Sequence, residues 1–318
     1  MNSKQITYFL KAAELQSIAA AARELKVAQP SISLQLDNLE HELGSQLFQR
    51  DYRGVQLTES GQRFRAHAES ILRQMEQARQ DIRQIEQEPS GRLVIGMTQP
   101  IGNVISVPLL AQVEKRYPKI QLDLFAGLSY NLSQQLLAGE IDLAISSPDG
   151  SDMTRLKRQK LFRERLYLAM GSSPQVAAQQ PLRSRVSLSF AEMAEHEVIV
   201  TGRQDSLGYL LHQYETRTGV QVRQKSAFGQ LMTTLRYVAE GHGLLLSPSS
   251  AFFHLEEAGQ IHALEINDPP LWRDVYITSA ADRPATTLMK AVIPMIQQVA
   301  REEHQAGHWR GELAVSDD

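Results

Sequence analysis

The side chains with the clearest chemical potential lie in one short stretch near the start of the chain. Short amide and hydroxyl groups are concentrated in the opening turns of a helix that begins near Pro30, and proline is favoured in a first helical turn. Such groups can hydrogen-bond to base edges in the major groove of DNA. The residues that we assign to this role are Gln29, Pro30, Ser31, Ser33 and Leu34.

Two short amphipathic helices joined by a tight turn position these groups. The first apolar stripe comprises Ile18, Ala21, Ala22 and Leu25, and the second comprises Ile32, Leu36 and Leu39. Ser17 precedes the first helix and can cap it with its hydroxyl. Paired helices of this kind also occur in proteins that never touch DNA, so the periodicity alone leaves both interpretations open.

A small basic hairpin is predicted directly after these helices. Residues 49–58 have strand-like composition around Gly54, with Arg50 and Arg53 close to the Gly54 tip. A basic hairpin beside a helix-turn-helix is typical of a wing, whose arginines can contact phosphate or a minor groove. Residues 1–57 are therefore predicted to form a winged helix-turn-helix DNA-binding domain.

The stretch from Ala21 to Gly61 resembles the N-terminal signature of LysR-type transcriptional regulators. It reads AARELKVAQPSISLQLDNLEHELGSQLFQRDYRGVQLTESG. The resemblance implies a sequence-specific transcription regulator with a small-molecule effector and a double-stranded DNA operator, and RNA polymerase as a partner if it activates. Many family members carry arginine where this chain has Leu34. Leu34 could contact a thymine methyl and Asp37 could accept from cytosine, or both could face solvent.

A long helix is predicted over residues 58–88, capped by Thr58 and ended by Pro89. Its apolar residues recur with alternating spacings of four and three, as in a coiled coil. They are Phe64, Ala68, Ile71, Met75, Ala78, Ile82 and Ile85. We expect this seam to form a homodimer, like the linker helix of the family. The alternative is an amphipathic helix packed on its own domain.

Beyond this helix the pattern alternates between strand and helix, which predicts an α/β fold with parallel strands. Residues 89–305 resemble the family's two-lobed, periplasmic-binding-protein-like effector domain, with lobe I at 92–161 and 269–303 and lobe II at 162–268. By the same resemblance the effector domains offer a second self-contact, which implies a homotetramer. The remaining residues, 306–318, are polar and are expected to form a frayed tail.

Hydroxyl and amide side chains follow several of the predicted strands. Parallel sheets bind ligands beyond the carboxyl ends of their strands, and the N–H groups of the following helices suit an anion. The candidate effector residues are Thr98, Gln99, Pro100, Ser146, Ser147, Thr201 and Gly202. Each of them could instead only cap a helix, so the argument depends on their convergence in one cleft. Within the family, the cleft-lining segments resemble those of nitrogen- or sulfur-assimilation regulators.

Composition narrows the other possibilities. The formal net charge of −3 indicates no general attraction to polyanions, so a few placed cations must supply the phosphate contacts. The chain has no cysteine, which excludes disulfides and thiolate chemistry. No catalytic, metal-ligand or cofactor motif is present, so we expect neither an enzyme, nor a metal site, nor a cofactor. Without a membrane-length apolar run or a signal peptide, a cytoplasmic protein with no membrane partner is expected. The runner-up is a solute-binding protein with an accessory helical domain.

Overall fold

The computed structural model describes residues 1–51, 54–83, 88–150, 154–172, 180–200, 205–226 and 230–314. The chain divides into two compact units. The first comprises Met1–Gln87 with Ala138–Glu140, and the second comprises Glu88–Leu137 with Ile141–Asp318.

The first unit is a helical domain with a two-stranded hairpin. Its elements are α1 (Ser3–Leu15), α2 (Ile18–Glu24), α3 (Gln29–Leu43), β1 (Phe48–Asp51), β2 (Gly54–Leu57) and α4 (Glu59–Arg83). Strands β1 and β2 pair antiparallel, which gives the predicted wing beside the helix-turn-helix. Phe9 of α1 is fully buried, and its ring lies 5.2 Å from that of Phe48 and 4.9 Å from that of Phe64.

Side-chain caps begin two of these helices as the sequence predicts. The Ser17 hydroxyl accepts from the backbone N–H of Ala20 at 3.2 Å. The Thr58 hydroxyl accepts from the N–H of Gly61 at 2.9 Å. Each bond satisfies one of the N–H groups that a helix start leaves without a partner.

Helix α4 differs from the continuous coiled-coil seam that its spacing predicts. Ala68 is fully buried in the core of the first unit, and Phe64 and Ile71 pack against that same core. The N-terminal half of the helix therefore corresponds to the alternative of packing on its own domain. Further along, Met75, Ala78 and Ile82 are exposed, while Ile85 lies outside the described residues.

The second unit is a mixed α/β structure. Its first elements are β3 (Gly91–Met97), α5 (Gln99–Arg116), β4 (Ile120–Ala126), α6 (Ser129–Ala138), β5 (Leu143–Ser146), β6 (Leu156–Gly171), α7 (Gln180–Arg183), β7 (Ser187–Ser189), α8 (Phe190–Ala194) and β8 (Glu197–Val200). There follow α9 (Ser206–Thr218), β9 (Arg223–Ser226), α10 (Leu231–Ala239), β10 (Leu244–Pro248), α11 (Ser249–Glu257), β11 (Ile261–Asn267), β12 (Trp272–Ala280), α12 (Thr287–Gln305) and β13 (Gly311–Leu313).

Strand β6 is long enough to belong to two lobes. Its N-terminal part pairs with β12, which continues through β5 and β3 to β4. Its C-terminal part pairs with β10, which continues through β8 to β9, and with β11 on the other side. One apolar core draws its residues from 93–162 and 275–309, and others draw theirs from 166–271. We call the parts around these cores the first and second lobes.

A buried ion pair joins the strands that cross between the lobes. Glu164 of β6 is fully buried, and one carboxylate oxygen accepts from Nε of Arg273 on β12 at 2.7 Å. The other oxygen accepts from the Trp309 indole N–H at 2.8 Å and from the Ser250 hydroxyl at 3.3 Å. A buried carboxylate is costly unless it is paired in this way.

The segment after α12 differs from the frayed tail expected from its polar composition. Trp309 is fully buried, and its ring stacks on Phe162 with the centroids 4.4 Å apart. Strand β13 then pairs antiparallel with residues Phe162 to Glu164 of β6. The physical reason is that one large apolar side chain and a free strand edge outweigh the polar neighbours. The last four residues lie outside the described part of the chain.

Candidate DNA-binding surface and ligand cleft

Helix α3 buries one face and presents the other. Ile32, Leu36 and Leu39 are fully buried, which fixes the rotation of the helix on its domain. The opposite face therefore carries the predicted reading residues. Gln29, Pro30 and Leu34 are exposed, and Ser31 and Ser33 are half-buried. The structure thus brings these five residues together on the opening turns of one helix.

An ion pair links the wing to this helix. The Arg50 guanidinium on β1 contacts the carboxylate of Asp37 on α3, and both side chains remain about half exposed. Asp37 is therefore not simply solvated, and part of the charge of Arg50 is neutralised before any DNA arrives. Arg53, the other predicted wing cation, lies outside the described residues.

Glu40 is a positioning residue that sequence reasoning missed. Its Oε1 accepts from the backbone N–H groups of Leu47 at 2.7 Å and Phe48 at 3.0 Å. These bonds hold the start of β1 against the end of α3. Glu40 belongs to the stretch that resembles the family signature, but neither that resemblance nor the helical pattern indicates which backbone groups its carboxylate binds.

Two glycines allow the wing to approach the rest of the domain closely. A Cβ at Gly54, whose φ is +138°, would lie 2.3 Å from the Gln16 carbonyl oxygen. A Cβ at Gly61 would lie 2.1 Å from the carbonyl oxygen of Leu47. Since backbone atoms cannot yield at such distances, only glycine fits at either position. The tip of the wing therefore packs against the turn after α1, and the start of α4 packs against the residue before β1.

The candidate ligand cleft begins where the parallel strands of the first lobe end. The N–H of Thr98 donates to the Ile145 carbonyl at 3.3 Å, and the N–H of Gly127 donates to that of Met97 at 2.9 Å. The ends of β3, β4 and β5 therefore lie side by side. Thr98, Ser146 and Ser147 are brought together here, each less than a tenth exposed.

Buried hydroxyls without partners mark this edge. Among the described residues, the side-chain oxygens of Thr98, Ser129 and Ser147 are buried and make no hydrogen bond within the protein. Ser129 was missed by sequence reasoning because no strand ending directly precedes it. A buried polar group without a partner is costly, so clustered hydroxyls of this kind are typical of a binding site.

Two helix starts near this edge have no side-chain cap, and a third follows an apolar residue. Helices α5 and α9 begin after Thr98 and Asp205, and neither side chain caps its own helix. Helix α6 begins at Ser129, after the apolar Leu128. Free N–H groups and the helix dipole favour negative charge at such positions.

Gln99 makes a contact between the two lobes. Its Oε1 accepts from the N–H of Leu231, at the start of α10 in the second lobe, at 3.0 Å. This hydrogen bond connects the two lobes. Pro100 is half-buried in the first turn of α5, while Thr201 and Gly202 lie outside the described residues.

The described part of the chain shows neither a cluster of metal-ligating side chains nor a helix that could cross a membrane. No group of three or more histidine, aspartate or glutamate side chains is placed to hold a metal ion there. None of its helices combines the length and apolarity needed to cross a membrane.

Comparison with known sequence families agrees with the two-unit architecture. Residues 3–62 match the family "Bacterial regulatory helix-turn-helix protein, lysR family". Residues 86–301 match "LysR substrate binding domain". These two domains define a bacterial helix-turn-helix regulator, and not an enzyme. More particularly, the chain belongs to the LysR family of DNA-binding transcriptional regulators, whose second domain binds effectors.

Individual relatives are similar over different shares of the chain. The nitrogen assimilation regulatory protein nac of Klebsiella aerogenes is 36% identical over 169 residues, which are 53% of this chain and 55% of that protein. The chain thus spans about half the length of that relative. The regulator CzcR of Bacillus anthracis is 27% identical over 263 residues, covering 82% of this chain and 85% of that protein.

Solved structures of full-length regulators share the fold. CbnR complexed with its target DNA has a TM-score of 0.66 at 20% identity, covering 95% of this chain and 99% of that one. A full-length variant of OxyR from Pseudomonas aeruginosa has a TM-score of 0.65 at 23% identity, covering 95% of each chain.

Proposed function

We propose that the chain reads a specific DNA operator through α3 and responds to an anionic effector bound between its lobes. The observation that carries the first part is the exposed polar face of α3, opposite a fully buried one. Gln29 and Ser33 read base edges, with Pro30, Ser31 and Leu34 beside them, and Arg50 and Arg53 contact the backbone. If the protein activates transcription, it also contacts RNA polymerase.

Operator reading is tested with Gln29→Ala. Fluorescence anisotropy on DNA from upstream of the protein's own gene should show a loss of about 1–3 kcal/mol of discrimination at one base step. Gln260→Ala, which alters an exposed glutamine of the second unit, is the matched control. Equal discrimination by both variants would contradict the assignment.

We also propose a homodimer through α4, with a second self-contact making a tetramer. Its support is the exposed apolar end of the helix, at Met75, Ala78 and Ile82. Near the other end, a groove of about 550 Å³ lies between α1, β2 and α4 and includes Ala13, Val55 and Leu57. From Phe64 to Ile82 the helix rises by about 27 Å. Antiparallel pairing would therefore place the apolar end of each copy against the groove of the other.

The dimer is tested with the double substitution Met75→Glu and Ile82→Glu. Both side chains are exposed, so the fold should persist while the buried charge breaks the pairing. Light scattering coupled to size exclusion should report a monomer, and operator binding should weaken. Arg79→Glu, on another exposed position of α4, controls for charge. An unchanged molar mass in the double variant would reject this interface.

The anionic effector is supported by the starts of α5 and α9, which have no side-chain cap, together with the buried hydroxyls of Thr98, Ser129 and Ser147. The backbone N–H groups and the hydroxyls can donate hydrogen bonds to an oxyanion. At the starts of α5 and α9, no side chain of the same helix start already occupies the N–H groups. Ser146 lies beside them on β5, and we keep Gln99, Pro100, Thr201 and Gly202 as proposed neighbours of the ligand.

The effector site is tested by thermal shift on the full chain with a panel of carboxylates, sulfate and phosphate. A ligand that binds only the folded state raises the melting temperature. Thr98→Val keeps the side-chain shape and removes the hydroxyl, so it should abolish the shift while operator binding without ligand persists. The site would be refuted if Thr98→Val responded at the wild-type concentration.

A further inference from the structure

Asp205 reaches from the second lobe to the start of a helix in the first. It precedes α9 at the position of an N-cap, yet its carboxylate makes no capping bond to that helix. Instead its Oδ1 accepts from the backbone N–H of Ser129, the first residue of α6, at 3.4 Å. Asp205 is only 8% exposed.

The start of α6 is also where a ligand would find unused donors. Ser129 is fully buried and its hydroxyl has no partner within the protein. The side chain of Leu128, just before it, has no polar atom that could cap the helix. A helix N-terminus attracts a carboxylate, and here the carboxylate comes from the opposite lobe.

We propose that Asp205 is an internal anion that competes with the effector for the N-terminus of α6. This inference rests on the proposed anionic effector and adds a mechanism of regulation to the same site. When the Asp205 carboxylate accepts from the N–H of Ser129, this hydrogen bond joins the two lobes at the start of α6. An effector oxyanion that takes this place must displace Asp205, because two negative charges at one helix start repel each other.

Displacement gives the effector a differential affinity for two lobe arrangements. The arrangement with Asp205 bound to Ser129 excludes the oxyanion, and the arrangement with Asp205 released accepts it. A ligand shifts a conformational equilibrium only by such a difference. Asp205 therefore sets the effector concentration at which the protein responds, and it selects ligands whose oxyanion can outcompete a carboxylate already in place.

The test uses the full chain and sulfate as the probe, at constant ionic strength. Asp205→Ala removes the internal competitor, so the apparent sulfate Kd from thermal-shift titration should fall by about tenfold. Asp282→Ala, which removes an acid that is 72% exposed elsewhere in the second unit, controls for the change in net charge. Adding Ser129→Ala to Asp205→Ala should reverse part of the gain, because the hydroxyl is one of the donors.

Two results would overturn the proposal. One is a sulfate affinity of Asp205→Ala no higher than that of Asp282→Ala. The other is a gain that Ser129→Ala leaves untouched, which would place the bound sulfate elsewhere. Circular dichroism checks that each variant is folded. Asp205→Asn is a milder substitution, because it removes the charge and keeps a side chain of nearly the same shape. Failure of the regulator proposal is distinguishable, since operator binding is measured separately from sulfate binding.

Discussion

Replacing Trp309 with phenylalanine should destabilise the second unit through one lost hydrogen bond. Phenylalanine keeps an aromatic ring to stack on Phe162, but it cannot donate to Glu164 as the indole N–H does at 2.8 Å. Of the two contacts to that carboxylate oxygen, only the 3.3 Å bond from Ser250 would remain. The variant therefore leaves a fully buried charged group with too few donors.

The magnitude follows from two contributions. A hydrogen bond to a buried charged group is worth about 1.5–3 kcal/mol. The smaller ring adds about 1 kcal/mol for the space that it leaves. Together they predict a loss of about 2.5–4 kcal/mol. For an m-value of about 1–3 kcal/mol/M in urea, the unfolding midpoint should fall by roughly 1 M or more.

The assay is urea unfolding of the full chain, followed by far-UV circular dichroism. Trp272→Phe is the matched control, because the other tryptophan is only half-buried and lies beside Arg163 and Arg165 at 5.2 and 5.7 Å. It should cost less than about 1 kcal/mol. If Trp309→Phe shifts the midpoint no further than this control does, the bond to Glu164 contributes nothing and the reasoning fails.

Two more outcomes are expected. Asp37→Ala should free Arg50, so that binding to any duplex tightens and the salt dependence steepens in anisotropy titrations; a flatter salt slope would be evidence against the pairing. Hydrogen bonds from the Ser189 backbone and then from Arg185 lower the pKa of Glu192 below its usual 4.5. Its contribution to stability is therefore complete above that pH and is lost as the pH falls through the lowered pKa. Glu192→Gln should flatten the acid limb of stability in pH-dependent thermal melts, and an unchanged limb would disprove the role.

Local patterns in the sequence predicted most of the helices and which of their faces are buried. The stripes through Ile32 and Leu36 predicted which face of α3 is buried, and the caps at Ser17 and Thr58 predicted where helices begin. Each of these features depends on residues a few positions apart, where periodicity and capping chemistry are informative.

The rest depended on contacts between distant residues. Spacing alone could not show that Phe64 packs against Phe9 while Ile82 is exposed, because both occupy the same stripe of α4. Likewise, Trp309 looked like part of a polar tail until the edge of β6 supplied its neighbours. In the cleft, Ser129 and Asp205 meet across 76 positions of sequence, a separation that no local pattern reveals.

The double membership of β6 constrains how this protein can change during evolution. Leu161 and Phe162 are adjacent yet both buried, because the register of β6 against β12 shifts at this point and absorbs one additional residue. Beyond it, side chains alternate between faces while partners lie on both sides. An insertion or deletion after Phe162 would turn the following side chains to the opposite face of the strand. It would disturb the pairing with β12 in the first lobe and also the pairing with β10 and β11 in the second. Apart from Glu164, one apolar residue along this strand can replace another, but the length of the strand cannot change without cost to both lobes.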